Sequence, residues 1–302
     1  MSRPPLFWHP KWTSFHNQTL VRMHLQTNRE FTIGFNRRGD DFFVPGRLTF
    51  GGFYPVDGDI VSKEEALELL LAFRTEFLQS TSLVWKLPPR YFIPEVFEQQ
   101  CNVAETFSTQ KVDDVNQHIE VIFWNEHCMS RGNQKKKRQL VRMNVEYRTM
   151  TLGEVGMCYE VLRENRTSRG AFVSMSQEEI EHCLINWPSE YRLVCVCLGD
   201  EILATALTVD IASDVRYVLY WADNLKYRSN SPVVYLSNSL IEEARSHGIR
   251  ILDLGTSSLD GILDDGLFRF KKNLGAKESI KSTYKIQFRT GDRRIFEKLL
   301  AE

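Results

Sequence analysis

The chain has 302 residues, room for one large or two medium domains. Hydrophobic residues make up 42% and charged residues 25%, the ordinary balance of a soluble globular protein, and no segment approaches the roughly 20 apolar residues of a membrane helix. A net charge of −1 creates no bulk field toward nucleic acid or an acidic membrane, so any such contact has to come from a local patch.

The opening MSRPPLFWHPKW has no apolar run of signal-peptide length, and its prolines break a helix, so a cytoplasmic protein is expected. Strand-like runs follow: EFTIGF, DDFFVPG and RLTFGGFYP. A helix then runs from Ser62 to about Gln79. Ser62 and Glu65 make a capping box, and Ala66, Leu69, Leu70, Phe73 and Phe77 form the apolar face. SLVWKLP, NVAETFSTQKV and HIEVIFW read as strands. From Glu126 the chain turns polar and basic, with residues 131–138 as the exposed start of a helix.

Next come the strand VEYRTM, a helix after Thr151 and another after Ser176, which has Glu179 at the capping-box position. The strands YRLVCVCL, EILATALTVDI and VRYVLYWAD follow, with Gly199-Asp200-Glu201 as a hairpin signal between the first two. A helix from Ser231 to about His247, the strand IRILDLG, a short helix from Gly266, the strand ESIKSTYKIQF and a last helix RIFEKLLAE complete the order. This is an α+β pattern of two similar halves, residues 1–125 and 126–302, each a mixed, mostly antiparallel sheet flanked by helices. The six scattered cysteines read as reduced, mostly core thiols, and the seven histidines show no metal-ligand spacing.

The chemistry concentrates between Arg216 and Tyr284. A strand passing through the polar loop NLKYRSNS into a helix opened by Ser231-Pro232 presents free backbone N–H groups at one point, an anion site. Asp253 stands at a strand end, and Lys271 and Lys272 follow a glycine turn. That order points to an enzyme handling a phosphate-bearing donor. Asp223 reads as a general base or as a turn-forming aspartate. Asp253 is a site carboxylate or the structural partner of Lys271 or Lys272. Tyr220 and Tyr284 are acids for a leaving group or core aromatics. Arg228 is the best side chain for a donor phosphate. The run Lys135-Lys136-Lys137-Arg138 is a solvated helix face or a contact to tRNA or phosphate. Gly51-Gly52 is weak as a phosphate loop, because no convincing helix begins behind it.

The motifs Thr49-Phe50-Gly51-Gly52-Phe53, Glu164-Asn165-Arg166, Tyr220-Trp221-Ala222-Asp223, Ser231-Pro232, Leu252-Asp253-Leu254-Gly255 and Gly266-Leu267-Phe268-Arg269-Phe270-Lys271-Lys272-Asn273-Leu274-Gly275 carry a resemblance. In this order they resemble tandem GNAT N-acyltransferases related to the Fem-type aminoacyl transferases, including acyl-CoA-using bacterial relatives. The likeness in order covers nearly the whole chain and is strongest from about residue 155. It implies two GNAT-like halves, the first degenerate and architectural, the second holding the donor in the V between two splayed strands. The usual pyrophosphate loop is altered here to Arg228-Ser229-Asn230-Ser231-Pro232-Val233.

The resemblance further implies transfer of an acyl group from acetyl-CoA or another acyl-CoA to a primary amine on a small molecule or peptide, with no metal and no membrane partner. Trp221, Arg228, Ser229, Asn230, Ser231 and Val233 would bind the donor. Asp223, Tyr220 and Tyr284 would be catalytic, and Arg166, Asp253 and Lys271 would bind the acceptor. The alternatives are a Fem-like transferase that uses aminoacyl-tRNA, or an inactive GNAT-like binding scaffold.

Overall fold

The computed structural model describes residues 5–16, 18–45, 49–77 and 82–288. The helix expected at RIFEKLLAE and the end of the helix expected to reach Gln79 lie outside these residues. The first elements are α1 (Pro10–Phe15), β1 (Thr19–His24), β2 (Glu30–Arg38), β3 (Asp41–Val44), β4 (Tyr54–Pro55), α2 (Lys63–Glu76), β5 (Ser82–Lys86), α3 (Pro94–Phe107) and β6 (Gln110–Glu120). There follow α4 (Arg131–Arg142), β7 (Glu146–Thr149), α5 (Val155–Thr167), α6 (Gln177–Asn186), β8 (Tyr191–Leu198), β9 (Glu201–Ala212) and β10 (Val215–Asp223). The last are α7 (Pro232–Ser246), β11 (Ile251–Thr256), β12 (Ser258–Leu259), β13 (Ile262–Leu263), α8 (Asp265–Asn273) and β14 (Lys277–Gln287).

Two compact units emerge, and the division is discontinuous where the sequence suggests a single cut after Asn125. Among the described residues, unit 1 takes those up to Asn116, then Ser258–Leu263 and those from Ser279; unit 2 takes Gln117–Ser257 and Asp264–Glu278. In unit 1, β1, β3 and β4 pair antiparallel with β2, β3 pairs parallel with β5, and β5 pairs antiparallel with β14. The late strand β14 joins this unit because Thr283–Gln287 ladder onto Lys86–Ser82. Aromatic side chains fill the core of unit 1: Phe53 meets Trp85 edge-on at 5.5 Å, and Trp8 stacks on Phe92 at 6.1 Å. The expected capping box holds, since Ser62 Oγ accepts the Glu65 N–H and the Glu65 carboxylate accepts the Ser62 N–H.

Two local expectations fail here. NVAETFSTQKV is helical through Phe107, because Pro94 at the first helical position opens α3 and Val96, Phe97, Gln100, Val103 and Ala104 form its buried face. Of RLTFGGFYP, the described residues Thr49–Pro55 are strand only at Tyr54–Pro55. The Gly51-Gly52 backbone is held by the Lys86 carbonyl, which accepts the Gly51 N–H at 2.9 Å, and by side chains. Trp8 Nε1 donates to the Gly52 carbonyl at 2.9 Å, and Gln100 bonds both the N–H and the carbonyl of Phe53.

In unit 2, β7, β8, β9 and β10 form an antiparallel meander, and β11 lies parallel to β10. HIEVIFW is strand only to Glu120, after which the Phe123 and Trp124 N–H groups turn back to the Glu120 carbonyl. Ser176 and Glu179 cap α6 reciprocally, as their spacing predicts. The apolar core gathers Trp124, Leu140, Val194, Leu236, Leu252 and Leu274. Its burial fixes β10, α7 and α8 relative to one another inside the unit. The expected class, α+β with mostly antiparallel sheets flanked by helices, is the class observed.

Candidate active site

The site follows from how β10 and β11 part. Their parallel register pairs Val215–Tyr217 with Ile251–Asp253, and β10 then continues to Asp223. A bulge against β9 between Val218 and Tyr220 bends that continuation. A cleft of about 380 Å³ opens at the strand end. Trp221, Ala222 and Asp223 line it from β10, Ser231 and Val233 from the head of α7, and Gly266, Leu267 and Phe270 from α8. Trp221 meets Phe270 edge-on at 5.5 Å. Gly255, in the LDLG motif, has φ +77°, and a Cβ there would lie 3.0 Å from the Tyr217 hydroxyl. A side chain at this positive-φ position of β11 would be strained.

Three cations from three segments face the cleft: Lys136 of α4, Arg169 just past α5, and Arg228 of the turn before α7. Asp264 lines it too, capping α8 by accepting the Leu267 N–H at 2.9 Å. Ser231 heads α7 with φ 52°, a left-handed conformation rare for a residue with a side chain. Its hydroxyl accepts from Lys136 Nζ at 2.7 Å. Pro232 has no N–H, the Val234 N–H returns to the Ser231 carbonyl at 3.0 Å, and the Val233 N–H donates to Asp223 Oδ1 at 2.9 Å. The donors expected to be free are therefore engaged, because the strand ends within reach of the helix it feeds.

Burial pushes the Asp223 carboxyl above the usual aspartate range, while the Val233 N–H and the charges of Arg169, Arg228 and Lys136 pull it back. Burial, then repulsion from Arg228, lowers Arg169. The Asn165 amide donates to the Asp223 carbonyl at 2.9 Å and fixes the strand end.

Of the residues expected from sequence, Trp221, Asp223, Arg228, Ser231 and Val233 come together at the cleft. Ser229 and Asn230 belong to the 3-10 turn Leu225–Asn230 that leads into α7, and Ser229 is exposed. Tyr220 is buried below, its hydroxyl bonded to Ser174 and burial raising its pKa; the Arg166 guanidinium lies 5.8 Å over its ring. Asp253 is fully buried and accepts the Gly255 N–H at 2.8 Å. Lys271, 1% exposed, donates to the Gly255 and Thr256 carbonyls, both at 2.8 Å, tying α8 to the end of β11. Tyr284 lies in unit 1, opposite Trp85 on β5, with Lys111 over its ring.

Sequence reasoning missed Arg169, Asp264 and Asn165 as site residues, and left Lys136 undivided within its run. Asn165 was in view in the Glu164-Asn165-Arg166 motif, and Arg169 follows Arg166 at helical spacing. Lys136 is half-buried where Lys135 and Arg138 are exposed. Among the described residues, no group of three or more His, Cys, Asp or Glu side chains is arranged to hold a metal ion. No helix there is long and apolar enough to cross a membrane.

Residues 130–272 match the model of the acetyltransferase (GNAT) domain family. No curated protein matches the chain. Among solved structures the fold is similar to that of FemX, with TM-score 0.67, 14% identity, 99% of this chain and 96% of the other covered. It is also similar to the C-terminal domain of a putative lysylphosphatidylglycerol synthetase from Agrobacterium fabrum, with TM-score 0.56, 11% identity and coverage of 92% and 87%. A third similar structure is a GCN5-related N-acetyltransferase from Sphaerobacter thermophilus, with TM-score 0.50, 12% identity and coverage of 91% and 82%. Residues 130–272, which match the acetyltransferase (GNAT) domain model, contain every residue lining the cleft, in a chain whose fold is similar to that of FemX.

Proposed function

We propose that the protein moves an acyl group from a phosphate-bearing donor, acyl-CoA in the leading reading, to a primary amine by direct attack. The observation that carries this is the grouping of Lys136, Arg169 and Arg228 around a half-buried carboxylate at the end of a splayed strand. The cations fit the phosphates of the donor, and the cleft over Trp221 and Phe270 fits its acyl and pantetheine end. The amine nitrogen bonds to the acyl carbon while Asp223, or a water it holds, takes the proton the nitrogen sheds. Backbone N–H groups of β10 near Trp221 stabilise the oxyanion in this reading, and the thiolate leaves. The acceptor is a small molecule or a peptide.

A second reading has aminoacyl-tRNA as donor. Lys136 turns into the cleft while Lys135 and Arg138 of the same helix stay exposed, which gives a basic track from surface to cleft. The fold shared with FemX and with a putative lysylphosphatidylglycerol synthetase supports it. Calorimetry with acetyl-CoA, longer acyl-CoAs and aminoacyl-tRNA separates the readings, and mass spectrometry of an amine acceptor reports transfer. Binding and transfer from acyl-CoA are expected. Binding of aminoacyl-tRNA alone replaces the first reading by the second, and silence from both donors leaves a binding scaffold.

A further inference from the structure

We propose that in the free protein the Asp223 carboxylate stands in for a donor phosphate at the head of α7, and that donor binding displaces it and thereby arms it as the base. The inference rests on the acyl-donor reading above. Asp223 Oδ1 holds the Val233 N–H at 2.9 Å, where an anion at this helix head would be received. The same carboxylate feels Arg169, Arg228 and Lys136, the cations a phosphate would recruit. The cleft therefore contains one set of anion-binding groups, and one of its two carboxylates, Asp223, already engages them.

A second anion cannot enter without changing the first. A phosphate that takes the Val233 N–H and the cations removes from Asp223 the interactions that favour its charged form, and adds a like charge beside it. Burial, which already favours the neutral acid, is then opposed by less. The charged groups facing Asp223 are Lys136 from α4, Arg169 just past α5, Arg228 from the turn before α7, and Asp264 from the head of α8. The three cations lose leverage to the phosphate, while Asp264 adds repulsion. Asp223 thus holds a proton more tightly once the donor is bound. It becomes a stronger base at the moment an acyl carbon lies in the cleft, and a weaker one in its absence. As the amine nitrogen bonds that carbon, the carbon–sulfur bond breaks, the thiolate departs, and Asp223 keeps the nitrogen's proton. An order follows, donor before acceptor.

Linkage gives the test. Because binding raises the proton affinity of Asp223, the complex takes up a fraction of a proton, the unprotonated remainder being the base, and the donor binds more tightly as pH falls. Titration calorimetry with inorganic pyrophosphate and with coenzyme A, in buffers of different ionisation enthalpy, counts those protons. Asp223→Asn keeps an oxygen to accept the Val233 N–H but carries no charge. We expect it to bind pyrophosphate about tenfold more tightly than wild type, the equivalent of one pH unit of coupling. We also expect it to take up fewer protons, the difference between the proteins cancelling the ligand's own protonation. Equal affinity and equal proton count in the two proteins would overturn the displacement and leave the donor reading standing. Neither probe binding either protein would overturn both.

Discussion

In unit 1 the run β5–α3–β6 has β14 seated between its two strands, whereas in unit 2 the run β10–α7–β11 has strands that pair at one end and part at the other. Both helices are entered alike. A left-handed residue precedes a proline at the first helical position, Ile93 (φ 43°) before Pro94 and Ser231 (φ 52°) before Pro232. What surrounds each helix head differs. In unit 1 a cavity of about 210 Å³ is walled mainly by Pro88, Pro89, Phe92, Pro94 and Phe97. In unit 2 the cleft carries Lys136, Arg169 and Arg228. One backbone device therefore serves two ends. In unit 1 a strand fills the gap and the cavity at the helix head is walled mainly by prolines and aromatic rings; in unit 2 the strands part and three cations line the cleft.

The strongest way to break this contrast is to empty the cleft of charge. Arg169→Ala with Arg228→Ala should weaken coenzyme A binding about 100-fold, each guanidinium contributing a charge-assisted contact. Calorimetry reads the loss, and an unchanged affinity would move the donor away from this cleft. Lys271→Met should cost about 3 kcal/mol in urea unfolding, because one buried and one part-buried carbonyl lose their donor. Donor affinity should hold in the material that folds. Lost turnover at full stability would instead make Lys271 an acceptor ligand.

A smaller effect is expected in the closed region. A Cβ on Gly52 would sit 2.9 Å from both Gln100 Oε1 and Phe97 Cε1. Gly52→Ala should therefore destabilise by about 2 kcal/mol, the scale of overpacking, with coenzyme A affinity unaltered. A drop in that affinity would contradict the purely architectural reading of unit 1. The smallest change should come from Lys135→Ser with Arg138→Ser, both exposed. Stability should stay within about 0.5 kcal/mol of wild type, and coenzyme A binding should be unchanged. Loss of salt-sensitive RNA binding in that variant would favour the aminoacyl-tRNA reading.

Much of the local order was legible beforehand for identifiable reasons. Capping boxes at Ser62 and Ser176 are short-range contacts between a side chain and a backbone four residues wide, so sequence spacing specifies them. The meander β8–β9–β10 was legible from nearly continuous apolar runs with a turn signal at Gly199-Asp200, and the helix after Ser231-Pro232 from proline at a helix start. NVAETFSTQKV suggests a strand by itself because its first six residues are the end of α3, whose opening signal, Pro94, lies upstream of it.

Asp223, Arg228, Ser231 and Val233 were identifiable because one strand–turn–helix segment carries them all, and their proximity is a property of that segment. Arg169 and Lys136 come from other helices, and only packing decides that Lys136 reaches the Ser231 hydroxyl while Lys135 beside it stays in water. Lys271 shows the same limit in reverse. The sequence presents a lysine pair after a glycine turn; tertiary structure turns Lys271 inward onto two carbonyls and leaves Lys272 beside Glu278. Whether the gap between two strands is open also lies beyond local sequence. It depends on where β14 finds hydrogen-bond partners, and those come from β5 and β6, far earlier in the chain. Short-range hydrogen bonding and side-chain periodicity were thus set by the sequence alone. The filling of cavities and the facing of charges were decided by long-range packing, where distant segments compete for the same space.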